Sequence, residues 1–382
     1  MRKTINIGDL GTIITGKTPP TTNKNYYGDY AVFIKPTDIS EQSKYTYETE
    51  EMYSKLAAEK YESSLIPKGA ICVPCIGTIG TKMTMAPCDC YTNQSINSII
   101  CNENYDNEYV YYLIKNFLPG LKVYNLGTAS GREYVSKSNF EKIELVAEQD
   151  KEIQKKIGVI LSRYDSLIEN YQKQIKLLEE AAWRLYKEWF IDLRFPGHEN
   201  TKIVDGVPDG WTPSQLGQLV EFKRGKTITK KDVIDGDIPV VAGGLEPAYY
   251  CNKSNTAERV ITVSGSGANA GFTRMYFEKV WASDCSFVDV SVTPFLHFIY
   301  CYLKDNKTTI DNMQKGAAQP HVYAKDINSM ELCIPIESVI KSFERTASKY
   351  FDTISSLQYQ LRLLTEARDR LLPKLMSGEI TV

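Results

Sequence analysis

Gln174-Ile175-Lys176-Leu177-Leu178-Glu179-Glu180-Ala181 and Gln360-Leu361-Arg362-Leu363-Leu364-Thr365-Glu366-Ala367 are two versions of one stretch, 186 residues apart in a chain of 382. The repeat divides the chain nearly in half, and a period this long marks duplicated domains, not a short-repeat solenoid. Around the first copy, Ile157, Leu161, Tyr164, Ile168, Tyr171, Ile175, Leu178, Ala182, Leu185 and Trp189 alternate at spacings of four and three, which places one apolar seam on a long helix. Adding the same offset gives Phe343, Ala347, Tyr350, Ile354, Leu357, Leu361, Leu364, Leu371 and Leu375. Arg368 falls where Ala182 sits and reads as a polar break, and Pro373 limits the regular helix near its end. Each helix spans ~43 residues, or ~60 Å at the usual rise. A seam that long needs a partner in water, and the repeat supplies one within the chain. An antiparallel pair would set two blocks at opposite ends of a spacer, about a pseudo-twofold axis. A core helical hairpin or a coiled-coil homodimer would cover the same seam.

Before each helix lies a β-rich block. In the first, Ala31 to Ile34, Ala70 to Val73, Ser98 to Cys101 and Ile143 to Val146 read as short strands between Gly and Pro turns, and Asn107 to Phe117 reads as a helix. Phe195-Pro196-Gly197 stops the first long helix, Thr201 to Gly210 is a polar connector, and a second block runs from Trp211 to about Pro335. The blocks echo each other at their edges. Leu10-Gly11 and Gly16-Lys17-Thr18 match Leu216-Gly217 and Gly225-Lys226-Thr227, while Gly127 to Leu145 resembles Gly316 to Leu332, each a glycine turn, then Val135 or Val322, then an alternating strand. Between these edges they diverge, as one scaffold with two specificities would. The expected class is α+β: β-rich domains at 1–147 and 196–336, long spacer helices at 148–195 and 337–382.

A hydrophobic content of 42% and a charged content of 24% are those of an ordinary soluble globular protein. There is no apolar run long enough to span a membrane, and Met1 to Asn6 lacks a signal-peptide core. Nine cysteines, an odd count without an export signal, suit a reducing cytoplasm. A net charge of -2 argues against a protein that grips nucleic acid alone through phosphates, but is compatible with one that reads bases while partners supply positive charge.

Taken in order, the marks resemble a type I restriction-modification specificity subunit over the whole chain. They are Pro208-Asp209-Gly210-Trp211 followed by Gln215-Leu216-Gly217, the Gly-Lys-Thr of both blocks, the exit Val146-Ala147-Glu148-Gln149, and the ending Leu364-Thr365-Glu366-Ala367-Arg368 leading to Leu372-Pro373-Lys374-Leu375-Met376-Ser377-Gly378-Glu379-Ile380. The first block has no tryptophan at its start, and the second exit has no Glu-Gln pair. The resemblance implies a non-catalytic subunit with two target recognition domains, each reading half of a split, asymmetric sequence in double-stranded DNA. It implies helices that set the gap and dock two methyltransferase subunits, with restriction/translocase subunits joining that core. Cofactor chemistry belongs to the partner, which uses S-adenosylmethionine, and this chain binds none. The alternative is a coiled-coil adaptor between proteins without DNA binding.

Base reading needs donors and acceptors on loops. The candidates are Lys17, Lys35, Thr78, Lys82, Ser130 and Arg132 in the first block and Lys226, Ser264, Ser266, Asn269, Arg274, Gln319 and His321 in the second. Other signals are weaker. The only Pro-Pro, Pro19-Pro20, lacks the Asn and aromatic residues of an adenine methyltransferase motif. Gly265 to Gly271 resembles a phosphate loop but lacks a Lys-Ser/Thr ending and leads into β-type sequence, so it reads as a flexible loop at a DNA surface. Asp209 with Glu221-Phe222-Lys223 mimics a nuclease site, yet Asp209 falls in a turn. Cys72 and Cys75 have zinc-like spacing, against strand-core roles for Cys72 and Cys101.

Overall fold

The computed structural model describes residues 2–127, 131–229, 231, 233–315 and 320–382. Contacts divide the chain into two compact units, residues 1–172 with 360–382, and residues 173–359. Each unit therefore holds one β-rich block and a part of both long helices.

The first block contains β1 (Arg2–Asn6), β2 (Gly11–Thr15), β3 (Tyr27–Ile34), β4 (Met52–Tyr53), α1 (Lys55–Lys60), β5 (Ile71–Pro74), β6 (Ile76–Gly77), β7 (Thr84–Met85), β8 (Tyr91–Thr92), β9 (Ile96–Cys101), α2 (Asn107–Phe117), β10 (Glu133–Tyr134), α3 (Lys137–Glu141) and β11 (Glu144–Glu148), followed by the helix α4 (Lys151–Tyr186). After a hairpin of β12 (Ile203–Val204) and β13 (Val207–Pro208), the second block contains β14 (Thr212–Gln215), α5 (Leu216–Leu219), β15 (Lys223–Arg224), β16 (Ile238–Val241), β17 (Tyr249–Cys251), β18 (Val260–Ser264), β19 (Thr273–Tyr276), β20 (Trp281–Ala282), β21 (Cys285–Asp289), α6 (Leu296–Asp305), α7 (Lys307–Asn312), α8 (Ala324–Asn328) and β22 (Glu331–Ile334), leading into α9 (Glu337–Ser377).

The two blocks have one topology. In each, the opening strand pairs antiparallel with the closing strand, β1 with β11 and β14 with β22. A four-stranded sheet follows, ordered β2-β9-β5-β7 in the first and β15-β21-β18-β19 in the second. A three-stranded sheet completes each block, ordered β4-β3-β8 and β17-β16-β20, with the parallel pair β3·β8 matched by β16·β20. The fold class is α+β, as the duplicated sequence pattern led us to expect.

The structure redraws four local readings. Leu216-Gly217 corresponds to Ile7-Gly8, not Leu10-Gly11: the Ile7 amide bonds Ile143 O at 2.9 Å and the Leu216 amide bonds Met330 O at 2.8 Å. A short helix, α3 or α8, intervenes between Val135 or Val322 and the closing strand, capped in the first block by Ser136, whose hydroxyl accepts from the Asn139 amide at 3.2 Å. The polar connector forms the β12–β13 hairpin, because Asp205 and Gly206 both take positive φ, 52° and 79°, as a tight two-residue turn requires. Finally, α9 runs through Pro373 to Ser377. Leu372, Leu375 and Met376 are buried in the first unit's core and hold that last turn, which ends at Gly378 with φ 82°.

Within each unit the two long helices pack against each other and against the block. In the first unit Ile157 and Leu161 of α4 share a core with Leu372, Leu375 and Met376 of α9 and with Tyr109 and Leu113 of α2. In the second, Ala182 and Tyr186, with Trp189 and Phe190 of a π-turn that follows α4, share a core with Phe343, Ala347, Phe351 and Ile354 of α9 and with Phe298 of α6. Ring centroids of Phe190 and Phe343 lie 5.2 Å apart, and those of Phe190 and Phe298 4.8 Å apart. Each such side chain stabilises by about 1.5–3 kcal/mol on full burial. Of the seam positions, Ile157, Leu161, Ile168, Ala182, Trp189, Phe343, Ala347, Ile354, Leu357 and Leu375 are buried, whereas Tyr164, Tyr171, Ile175, Leu178, Leu185, Tyr350, Leu361, Leu364 and Leu371 are partly buried.

Arg368 is not a break in the seam. It is buried there and pairs with Asp165 of α4, Nη1 to Oδ1 at 2.6 Å. The Tyr112 hydroxyl donates to the other Asp165 oxygen at 2.5 Å, and Arg368 Nε donates to Asp369 at 2.8 Å. Burial works against the guanidinium charge, but Asp165 and Asp369 outweigh it and raise the Arg368 pKa.

Candidate nucleic-acid interface

Gly16-Lys17-Thr18 and Gly225-Lys226-Thr227 form the same corner in both blocks. The Lys17 amide donates to Thr92 O and the Lys226 amide to Ala282 O, each at 2.9 Å. Each lysine carbonyl accepts from an aromatic donor, Tyr53 hydroxyl at 2.6 Å in one block and Trp281 Nε1 at 2.7 Å in the other. The glycine is obligatory for lack of room. A Cβ on Gly16 would lie 2.1 Å from Thr92 O, and one on Gly225 would lie 2.4 Å from Ser283 O. With its backbone so tied, each lysine presents an exposed side chain; Lys17 Nζ reaches Ser63 Oγ at 3.4 Å.

A second site is built from two loops. In the first block β6 pairs with β10, and Glu133 accepts from the Ile79 amide at 3.0 Å. This brings exposed Thr78 beside the segment carrying exposed Arg132, and Lys82 follows half-buried. In the second block Ser266 bridges to His321, and the Gly267 amide bonds Pro320 O at 3.0 Å. By this pairing Tyr134 occupies the place of His321. Hydrogen bonds tie the Gly265–Gly271 segment, which is thus a pinned turn leading into β19, not a phosphate loop before a helix; among them are Gly265 N to Asp284 O, Gly267 N to Pro320 O, Ala270 N to Gly267 O, Gly271 N to Ser264 O and Val322 N to Gly265 O. Half-buried Asn269 lies in the turn, with its carbonyl accepting from the Phe272 amide at 2.9 Å.

Several candidates are committed to other partners. Lys35 Nζ meets Glu50 at 2.6 Å and Glu51 at 3.2 Å; burial opposes its charge, but the two carboxylates outweigh burial and raise its pKa. Arg274 donates to Leu245 O at 2.9 Å, faces Glu246 at 3.4 Å and lies over the Tyr276 ring at 4.9 Å. Ser266 hydroxyl donates to Asp284, which also faces Arg224 at 3.7 Å. Ser264 is not on a loop: it ends β18, is buried, and its hydroxyl has no partner among the described residues. Ser130 and Gln319 lie outside the described residues. Exposed Arg224 beside the second corner was missed by the loop survey, although Lys223-Arg224-Gly225-Lys226 is a visible basic run; so was Tyr323, stacked on His321 with centroids 5.9 Å apart.

Elsewhere, Cys72 and Cys75 are buried in and beside β5, where burial pushes both thiols up to about 12. Among the described residues no group of three potential metal ligands gathers. Asp209 lies in the turn after β13, and exposed Glu221 precedes β15. Among the described residues no helix is long and apolar enough to cross a membrane.

The model of the type I restriction modification DNA specificity domain matches residues 2–180 and again 208–361, one match per block. The chain belongs to this family. Its similarity to the MjaIX specificity subunit of Methanocaldococcus jannaschii, a type I restriction enzyme component, is 28% identity over 98% of this chain and 93% of that one. The HindI specificity subunit of Haemophilus influenzae is 38% identical over 41% of this chain and 35% of its own. A crystal structure of the S subunit of a type I restriction-modification system from M. genitalium superposes with a TM-score of 0.59 at 17% identity, covering 98% of this chain and 96% of that one, and so has the same fold. The chain is thus a non-catalytic specificity subunit whose role is DNA target recognition.

Proposed function

We propose that this specificity subunit reads a bipartite, asymmetric DNA target, one half-site per block, and that the functional parts are recognition domains at 1–147 and 196–336 with spacer helices at 148–195 and 337–382. The observation that carries this reading is a common frame with unlike loops. Equivalent positions hold Tyr134 in one block and His321 in the other, and the turn at Thr78 in one is matched by the Ser266–Asn269 turn in the other. Identical loops would read a palindrome; unlike loops read two different sequences. The direct-reading set is Thr78, Lys82, Ser130 and Arg132 in one block and Ser266, Asn269, Gln319 and His321 in the other, with Lys17 and Lys226 on phosphates.

Methyltransferase subunits, which bring S-adenosylmethionine chemistry, dock on the helices, and restriction/translocase subunits join that core. Two docking stations are supported by a repeated surface motif. Leu177 and Leu363 are 63% and 45% exposed at the same repeat position. Each is followed by an ion pair of one geometry, Glu180–Arg184 and Glu366–Arg370, both at 2.5 Å. Neither leucine serves a core, and the same exposed motif twice fits two copies of one partner.

The test is methylome sequencing of the host with and without this chain. The expected result is a two-part motif with a fixed gap that disappears on deletion, and replacement of residues 1–147 by a homologous block should alter one half-site alone. A contiguous motif, or alteration of both halves, refutes the reading.

A further inference from the structure

The duplication that supplies each long helix with a partner also creates a hazard. Because α4 and α9 are versions of one helix, α4 of one molecule resembles the natural partner of α4 in another. Their packing is antiparallel in each unit: Asp165 meets Arg368 in the first, and Phe190 meets Phe343 in the second. In the same register, Ala182 falls opposite Phe351, and both lie in the second unit's core. By the repeat offset Asp165 corresponds to Phe351, and Arg368 to Ala182. The repeated helical contact is thus ionic in the first unit and apolar in the second.

We infer that the Asp165–Arg368 pair decides which helix the seam accepts, favouring α4 on α9 over pairing of like helices from two copies of the chain. In an α4–α4 pair of unchanged register, Asp165 of each chain would face Ala182 of the other. In an α9–α9 pair, Arg368 would face Phe351. Either arrangement strands two buried charges, the most damaging outcome for a buried ion pair. Only α4 with α9 matches both ends. The other residues at the ionic site reinforce this, since Tyr112 donates to Asp165 and Asp369 to one side accepts from Arg368, so the carboxylate and the guanidinium are each bonded twice. Lys115, with its charge disfavoured by burial, faces the same group. The equivalent of Tyr112 in the second block is Cys301, because Phe298 and His297 meet Glu344 of α9 where Tyr109 and Glu108 meet Gly158 of α4. The second block thus lacks the hydroxyl that an acid at position 351 would need. A single buried polar pair is the usual device by which paired helices choose partner and register at some loss of stability. Here it keeps the two unlike recognition blocks paired with each other, so that a molecule with two identical halves is disfavoured.

The test uses full-length chains with two different affinity tags. Asp165→Arg and Arg368→Asp each bury like charges within their own chain. Co-expressed, the two variants should exchange halves, because the basic α4 of the first chain then meets the acidic α9 of the second. The unaltered Asp165 and Arg368 pair in the other half of the exchanged dimer, so no buried charge is left without an opposite partner. Capture through one tag should recover the other chain about tenfold above the level for two wild-type chains, the ratio that 1.4 kcal/mol of preference gives. The double variant Asp165→Arg/Arg368→Asp in one chain should fold as the wild type does and show wild-type capture. Capture of the two single variants at the wild-type level, or their loss to aggregation on co-expression, would overturn the inference. So would a double variant no better folded than the singles, because the two charges would then not act as a pair.

Discussion

The two ends of the helix pair solve one packing problem with different chemistry. Where the first unit has Ile157 and Met376, the second has Phe343 and Phe190; Leu161 and Leu372 become Ala347 and Tyr186; Asp165 and Arg368 become Phe351 and Ala182. At two of the three levels the second unit sets a large residue against a small one, Tyr186 against Ala347 and Phe351 against Ala182, whereas Phe343 meets Phe190. Duplication thus preserves the backbone and lets the side chains drift, in compensating pairs at those two levels. The same holds for the blocks, whose strand orders agree while their loops do not.

The largest expected effects fall on these cores. Phe343→Ala should cost about 3–5 kcal/mol and Ile157→Ala about 2–5 kcal/mol, since both side chains are buried among α4, α9 and a block. Fluorescence reports on the second unit alone, because all four tryptophans, Trp183, Trp189, Trp211 and Trp281, lie there. In urea, Phe343→Ala should lower the midpoint of the fluorescence transition, and Ile157→Ala should lower the circular-dichroism midpoint while leaving a separate, later fluorescence transition. A fluorescence midpoint that moves equally in both variants would show that the units unfold as one.

A smaller effect sharpens the match between the Gly-Lys-Thr corners. Gly16→Ala and Gly225→Ala each force a methyl group against a backbone carbonyl and should destabilise by about 1–3 kcal/mol through overpacking. Gly225→Ala should also perturb Trp281 fluorescence, because the Trp281 indole bonds the neighbouring Lys226 carbonyl; Gly16→Ala should not. Equal stability of either variant and the wild type would mean that the corner yields, and that the shared glycine has another reason.

Much of this was legible in the sequence. The seam spacing located both helices, and the strand runs named in the first block fall on β3, β5, β9 and β11. What escaped follows from what a linear pattern cannot carry. Arg368 looked like a flaw because its partner Asp165 lies 203 positions away, and polarity at a seam position is favourable only when the facing residue is known. Leu10-Gly11 was matched to Leu216-Gly217 by letters, whereas the structural match, Ile7-Gly8, rests on amide bonds from each block's closing segment. The loop candidates were chosen by residue type alone. Lys35 and Arg274 fit that description but are engaged by carboxylates, and Ser264 is one residue too early to leave its strand.

The smallest effect on stability bears on the proposed docking stations. Leu177 and Leu363 are exposed leucines on helix surfaces, so Leu177→Ser and Leu363→Ser should each shift stability by only about 0.5 kcal/mol or less. An apolar side chain held in water by a folded helix has nothing to lose inside its own chain, whereas burial in an interface would recover its transfer energy. Methyltransferase binding should therefore fall stepwise. Each single variant should retain one strong station and bind one partner subunit tightly, and the double variant should bind neither. Mass measurement of the assembled complex separates the cases. Two subunits retained by the double variant would remove these leucines from the interface, and loss of both from one single variant would mean that the two stations are not independent.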